Sequence, residues 1–197
     1  MKKKPQVKNK KMSALFIISG PSGVGEDSVI EGLKKYLEIE RIITTTTRPM
    51  RPRESQGKPY YFIGQKEFEN KIKHDEMAEY AQEYNNNFYG VTKDELKRVA
   101  NSGKTGIWKI EYKGVITAKK KFPEIKSIYI AAPSLETLKK RILHRSPNAT
   151  SKYLKERIAY TKEWMKHENI YDYKVINEEG KLNKTILSVV KIIQKNL

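Results

Sequence analysis

Residues Gly20–Ser28 read GPSGVGEDS, a G-x-x-x-x-G framework placed directly after the apolar run Ala14-Leu15-Phe16-Ile17-Ile18. A loop of this kind binds phosphate because its backbone N–H groups converge on an anion at the start of a helix. The motif calls for Lys and then Ser or Thr at the next two positions, the lysine adding positive charge toward the phosphates. Here Glu26 and Asp27 stand there, followed by Ser28. The backbone cradle (Gly20, Pro21, Ser22, Gly23, Val24 and Gly25) is therefore present with its side-chain charge reversed. Two unit charges about 4 Å apart interact by roughly 4 kcal/mol at an effective dielectric of about 20. An uncompensated Glu26 would defeat useful binding of a triphosphate, so either another residue supplies the charge or the loop holds no such ligand. A plainer reading also stands: acids in the first turn of any helix favour its positive end.

The composition narrows the classes open to the chain. Its 197 residues suffice for one compact domain with a small insertion, and 38% hydrophobic content permits a packed core. The absence of Cys excludes a disulfide scaffold and a thiolate metal site, and fits a reducing, cytoplasmic setting. No apolar run approaches the ~20 residues that span a bilayer, and the N-terminus has no apolar signal core. The formal charge is +17; six lysines fall within residues 1–12, which leaves +11 for the rest. That stretch reads as a solvated, disordered tail, and the remaining excess suits anionic ligands such as nucleotides. Net charge is the only feature that favours RNA, so nucleic acid is not the partner expected.

Chemistry at the loop needs elements to hold it. Ala14–Ser19 reads as a buried strand and Asp27–Leu37 as a helix with Val29, Ile30, Leu33 and Leu37 on one face. Arg41–Thr47 is β-branched and reads as one strand. The Pro-rich link Arg48–Arg53 runs extended. Short strand signals at Tyr60–Ile63, Glu79–Glu83 and Phe88–Val91 surround a helix near Lys66–His74, forming a small α+β block. Helices at Lys93–Ser102, Val115–Lys121 and Ser134–Leu143 then alternate with strands at Thr105–Ile110 and Ile125–Ala131. A polar break at His144–Thr150 precedes a long helix to about Glu168, a strand at Tyr173–Asn177 and an amphipathic helix through Ile193. Such alternation implies a parallel sheet covered by helices on both faces, with ligands at the carboxyl ends of its strands.

Three stretches, ISGPSGVG at Ile18–Gly25, TTTTRPMRPRESQGKPYYF at Thr44–Phe62 and EYAQEYNNNFYG at Glu79–Gly90, resemble the guanylate kinases in order and spacing. The resemblance covers essentially the whole chain after the tail. It implies an α/β fold: a P-loop three-layer core with a parallel sheet (13–47 and 93–197), a GMP-binding insertion at 48–92 and a lid at about 144–152. It implies Mg²⁺-dependent phosphoryl transfer from ATP to GMP by a monomer or homodimer. Arg48 and Arg51 match the arginines that hold the GMP phosphate, and a guanidinium fork suits phosphate oxygens. Tyr60 and Tyr89 match tyrosines whose hydroxyls reach that phosphate. Thr44 matches a hydroxyl facing the base, while Glu79 and Glu111 match acids that read the guanine edge. On the ATP side, Arg141, Arg145 and Arg157 match basic positions of the lid and its flanking helices, and Asn177 matches a residue near the adenine.

The departures from the family pattern cluster. Glu26 and Asp27 replace the loop's lysine and hydroxyl, and Lys109 stands where an Asp is expected. In P-loop folds the strand ending near Lys109 runs beside the one feeding Gly20, so Glu26 and Lys109 are expected to face each other. On this reading Lys109 supplies the missing ammonium and Asp27 helps hold Mg²⁺. The competing reading is an inactive guanylate-kinase-like module that binds guanine nucleotides or phosphopeptides. Tyr60 and Tyr89 as packing aromatics, Glu79 as a surface residue and Arg48 and Arg51 as solvated link residues are the corresponding plain alternatives.

Overall fold

The computed structural model of the chain describes residues 14–52, 54–82, 86–147 and 149–197. The basic tail, Arg53 of the Pro-rich link, Glu83 of an expected strand and Asn148 of the expected lid lie outside these residues.

The first strand, β1 (Leu15–Ser19), alternates its side chains between two cores, as the two-residue period of a strand requires. Phe16 and Ile18 join one cluster and Ile17 the other. A strand buried on both faces must be central, and β1 is the middle of a five-stranded parallel sheet. Its neighbours are β7 (Thr105–Trp108) and β8 (Lys126–Ala131); β2 (Ile39–Arg41) and β9 (Tyr173–Ile176) form the edges. Helices α1 (Glu26–Leu33) and α7 (Leu182–Lys195) cover one face, with Val29, Ile30, Leu33, Ile186, Val189 and Ile193 in the same cluster. Helices α3 (Lys93–Ala100) and α4 (Tyr112–Lys121) cover the other, through Leu96, Val99, Val115 and Ala118. Trp108 is fully buried there, a core residue as its setting in an apolar strand implies.

A second sheet of four strands has the order β4-β3-β6-β5, where β3 is Thr44–Thr46, β4 Tyr60–Phe62, β5 Met77–Gln82 and β6 Phe88–Thr92. Its helix α2 (Gln65–Lys73) buries Phe68. The expected single strand Arg41–Thr47 is thus two strands in two sheets. The break falls at Ile42 and Ile43: the Ile42 N–H bonds to the Ile107 carbonyl of the large sheet, whereas the Ile43 N–H turns to the Glu95 carboxylate, 2.8 Å away. The smaller sheet therefore recruits residues from before the boundary at 48 that the sequence suggests. Helix α1 is also shorter than expected, because Lys34–Leu37 close it in turns.

Two further helices, α5 (Leu135–Arg145) and α6 (Ser151–Met165), flank the polar break. Ser134 and Thr150 cap them, accepting from the Thr137 and Tyr153 N–H groups. Among the described residues no helix is long and apolar enough to cross a membrane.

Candidate active site

The loop between β1 and α1 leaves the carboxyl end of the central strand, where open α/β sheets bind ligands. Gly25 is the N-cap of α1 with φ 89°, a left-handed conformation that any side chain would strain. A Cβ there would also lie 2.8 Å from the Asn177 amide nitrogen. No side chain caps α1, so its first N–H groups face outward in the manner of an anion site.

Asn177 follows β9 and is buried. Its amide donates to the Val24 carbonyl at 2.7 Å and its oxygen accepts from the Thr185 hydroxyl at 3.1 Å. The side chain is a brace between the loop and α7. Replacing it with Ala leaves a buried carbonyl unsatisfied, at a cost of about 1–3 kcal/mol. We expect Asn177→Ala to lower the melting temperature by roughly 2–10 °C for a chain of this size, which a thermal unfolding scan measures; an unchanged midpoint would count against the brace.

Lys109 lies one residue beyond β7, which runs parallel to β1 with Trp108 in register with Ile17. Its ammonium is 3.3 Å from a Glu26 oxygen and 2.5 Å from Asp27 Oδ2. The expected confrontation of Glu26 with Lys109 is therefore present. Arg41, at the end of β2, donates to Asp27 Oδ1 at 2.7 Å. Burial pushes the Asp27 carboxyl up, but the Lys109 and Arg41 charges and hydrogen bonds outweigh it and hold the group below the usual carboxylate range. Burial likewise pushes Lys109 down, and Glu26 and Asp27 more than reverse that, holding it above the ordinary lysine value. Two acids and two bases thus close a neutral quartet at the mouth of the loop.

Two arginines of α5 reach the loop from the other side. Arg141 donates to the Asn177 carbonyl at 3.0 Å and lies 3.5 Å from the Gly23 carbonyl; Arg145 donates to the Ser22 hydroxyl at 3.1 Å. Arg157 sits on α6, its guanidinium 5.9 Å from the centre of the Tyr153 ring.

The smaller sheet gathers the residues expected at the GMP side. Thr44 is in register with Tyr60, Thr46 with Tyr89 and Glu79 with Val91. Tyr60 and Tyr89 meet edge to face with ring centres 6.0 Å apart. Arg48 is buried rather than solvated: its guanidinium forms a two-pronged pair with Glu54 (2.9 and 3.0 Å) and lies over the Tyr60 and Phe62 rings. Glu54 also accepts from the Arg51 N–H at 2.8 Å, closing the Pro-rich link, while the Arg51 side chain is exposed. These hydrogen bonds keep the Glu54 carboxyl below its usual range. Burial raises the Tyr60 hydroxyl above the ordinary tyrosine value.

Glu79 is buried, and its carboxylate packs over the start of α4: a Cβ added at Gly114 would lie 2.7 Å from Glu79 Oε2. Glu111 is the N-cap residue of the same helix and accepts a hydrogen bond from the Tyr160 hydroxyl of α6. The two carboxylates read as guanine-facing therefore converge on one helix N-terminus. Sequence reasoning missed Arg41, Glu54 and Tyr160. A lone cation opening the β-branched run RIITTTT was a usable signal for the first; the choice of partner left none for the other two.

A glycine loop opening a helix at the centre of a parallel sheet, with a small second sheet inserted in the chain, defines a P-loop α/β protein. The guanylate kinase family model matches residues 12–196. A guanylate kinase of Buchnera aphidicola from Acyrthosiphon pisum is 40% identical over 170 residues, covering 85% of this chain and 81% of that protein. The guanylate kinase of Clostridium acetobutylicum is 34% identical over 185 residues, covering 94% and 88%. A crystal structure of guanylate kinase from Anaplasma phagocytophilum superposes with a TM-score of 0.73 at 25% identity, covering 94% of this chain and 86% of that one. The chain belongs to the guanylate kinase family.

Proposed function

We propose that the protein is a guanylate kinase that transfers the terminal phosphoryl group of ATP to GMP. A GMP phosphate oxygen attacks the terminal phosphorus in line, the bond to the bridging oxygen breaks, and ADP leaves. Little covalent work falls to side chains in such a transfer, so catalysis is positioning and charge stabilisation. The acceptor is held by residues 48–92 together with Thr44. Arg48 and Arg51 take its phosphate with the Tyr60 and Tyr89 hydroxyls, and Glu79 and Glu111 accept from the guanine N–H groups. The loop Gly20–Ser28 holds the donor phosphates, Lys109 replaces the absent loop lysine, and Arg141, Arg145 and Arg157 of the lid region neutralise the transferring group. A cysteine-free chain suits a cytoplasmic setting.

Magnesium is the cofactor that the family implies. Asp27 does not fit it as a direct ligand in this arrangement, because both of its oxygens accept hydrogen bonds from cations, one from Arg41 and one from Lys109. When bound, the ion would be carried by the donor's phosphates and would offset part of their charge.

The observation that carries this reading is the Lys109 ammonium set against Glu26 and Asp27 at the loop, a relocated positive charge where one is missing. The test mixes purified protein with GMP, ATP and Mg²⁺ and follows GDP and ADP by chromatography. Equal amounts of both are expected. GMP binding without any product would overturn the kinase reading in favour of an inactive guanine-nucleotide module.

A further inference from the structure

We propose that Arg41 is a positioning residue for this loop: by sharing Asp27, it lets the Lys109 ammonium turn to the donor's phosphates without leaving that carboxylate unpaired. The proposal rests on the kinase reading above.

Strand geometry puts Arg41 there. Ile107 points to the side that α1 covers, packing with Val29 and Ile30, and Lys109, one residue beyond the strand, reaches Glu26 and Asp27 of the same helix. Arg41 is the register partner of Ile107 on the adjacent strand and therefore shares that face. Its carbonyl is fixed by the Arg98 guanidinium at 3.0 Å, so the residue is held at both ends. The Asp27 carboxylate is then divided, Oδ1 to Arg41 at 2.7 Å and Oδ2 to Lys109 at 2.5 Å.

The division matters because Lys109 also faces Glu26. Without Arg41, one ammonium would answer to two carboxylates, and the loop would carry a net negative charge where a polyanion must bind. With Arg41 the quartet is neutral, and Asp27 keeps a cation when Lys109 turns to a phosphate oxygen. Arg41 thus acts through Asp27 and touches no substrate.

This predicts a dependence that a direct phosphate contact or a purely structural role would not give. Arg41→Ala is expected to raise the KM for ATP about tenfold, the scale of one partly screened unit charge, with the KM for GMP unchanged. Adding Asp27→Asn removes the carboxylate that Arg41 restrains, and is expected to return the KM for ATP to within about threefold of the starting protein. Arg41→Lys, which keeps the charge, is expected to behave like the parent. Dissociation constants for ATP, measured by calorimetry on the same four proteins, should follow the same order. An Arg41→Ala loss that Asp27→Asn leaves in place overturns the proposal, as does an unchanged ATP affinity in Arg41→Ala. If the parent binds ATP but makes no GDP, the kinase reading fails, while the calorimetric order still decides the role of Arg41. A parent that binds no ATP overturns both.

Discussion

Lys109→Ala is expected to cut GDP formation by about 100-fold or more, the usual effect of removing one preorganised charge or donor from a transition-state site. Two carboxylates, Glu26 and Asp27, stand at the helix start where the proposed donor would dock, and Lys109 contacts both. Its removal leaves Arg41, which touches Asp27. Glu26 then faces the donor uncompensated, and a repulsion of roughly 4 kcal/mol at 4 Å and an effective dielectric of about 20 corresponds to nearly a thousandfold. The stronger form of the experiment exchanges the charges. Lys109→Asp alone gathers three carboxylates and should be near background. Adding Glu26→Lys puts the cation back on the loop and should recover at least about tenfold of the lost rate, because contacting charges are coupled rather than additive. Turnover at saturating GMP reads all four corners of this cycle. Losses that simply multiply would show that Glu26 and Lys109 do not share one task, and Lys109→Ala with an undiminished rate would end the idea outright.

Much of this architecture was legible because the signals were local. The apolar run before Gly20, the period of α7 and the alternation of strands and helices each depend on residues close in sequence. The pairing of Glu26 with Lys109 was legible too, since the parallel pairing of β1 with β7 follows from the fold and puts Lys109 opposite the loop. What could not be read was the choice of hydrogen-bonding partner. Nothing in RIITTTT says that the Ile42 N–H serves one sheet and that the Ile43 N–H leaves it for Glu95, 52 residues away. Nor does the link RPMRPRES reveal that Arg48 is buried by a two-pronged pair with Glu54; proline fixes the extended course but not which carboxylate folds back. Asn177 shows the same limit from the other side. The resemblance puts it near an adenine; in the structure its amide is committed to Val24 and its oxygen to Thr185, so it holds the loop in shape.

Glu79→Gln should lower kcat/KM for GMP by about 100- to 1000-fold while leaving the rate with AMP nearly unchanged. Guanine offers two donors on its pairing edge, N1–H and N2–H, and a carboxylate accepts both; adenine has an acceptor at N1. An amide of the same size turns an NH₂ group toward one of those donors. The site cannot relax around the mismatch, because Glu79 is buried and its carboxylate is pressed against Gly114, where even a methyl group would sit 2.7 Å from Oε2. A buried polar group left without a partner costs about 1–3 kcal/mol, and more when charge is involved, so losing one contact and opposing a second reaches about 3–4 kcal/mol, or the stated range at 1.4 kcal/mol per tenfold. Steady-state rates with GMP and AMP, measured beside a thermal unfolding scan, separate the possible origins. A collapse of the GMP-to-AMP ratio with the melting temperature held is the specificity effect. Equal losses for both nucleotides with a lower melting temperature would mean that Glu79 only supports the start of α4, and a GMP value within threefold of the parent would remove it from guanine recognition altogether.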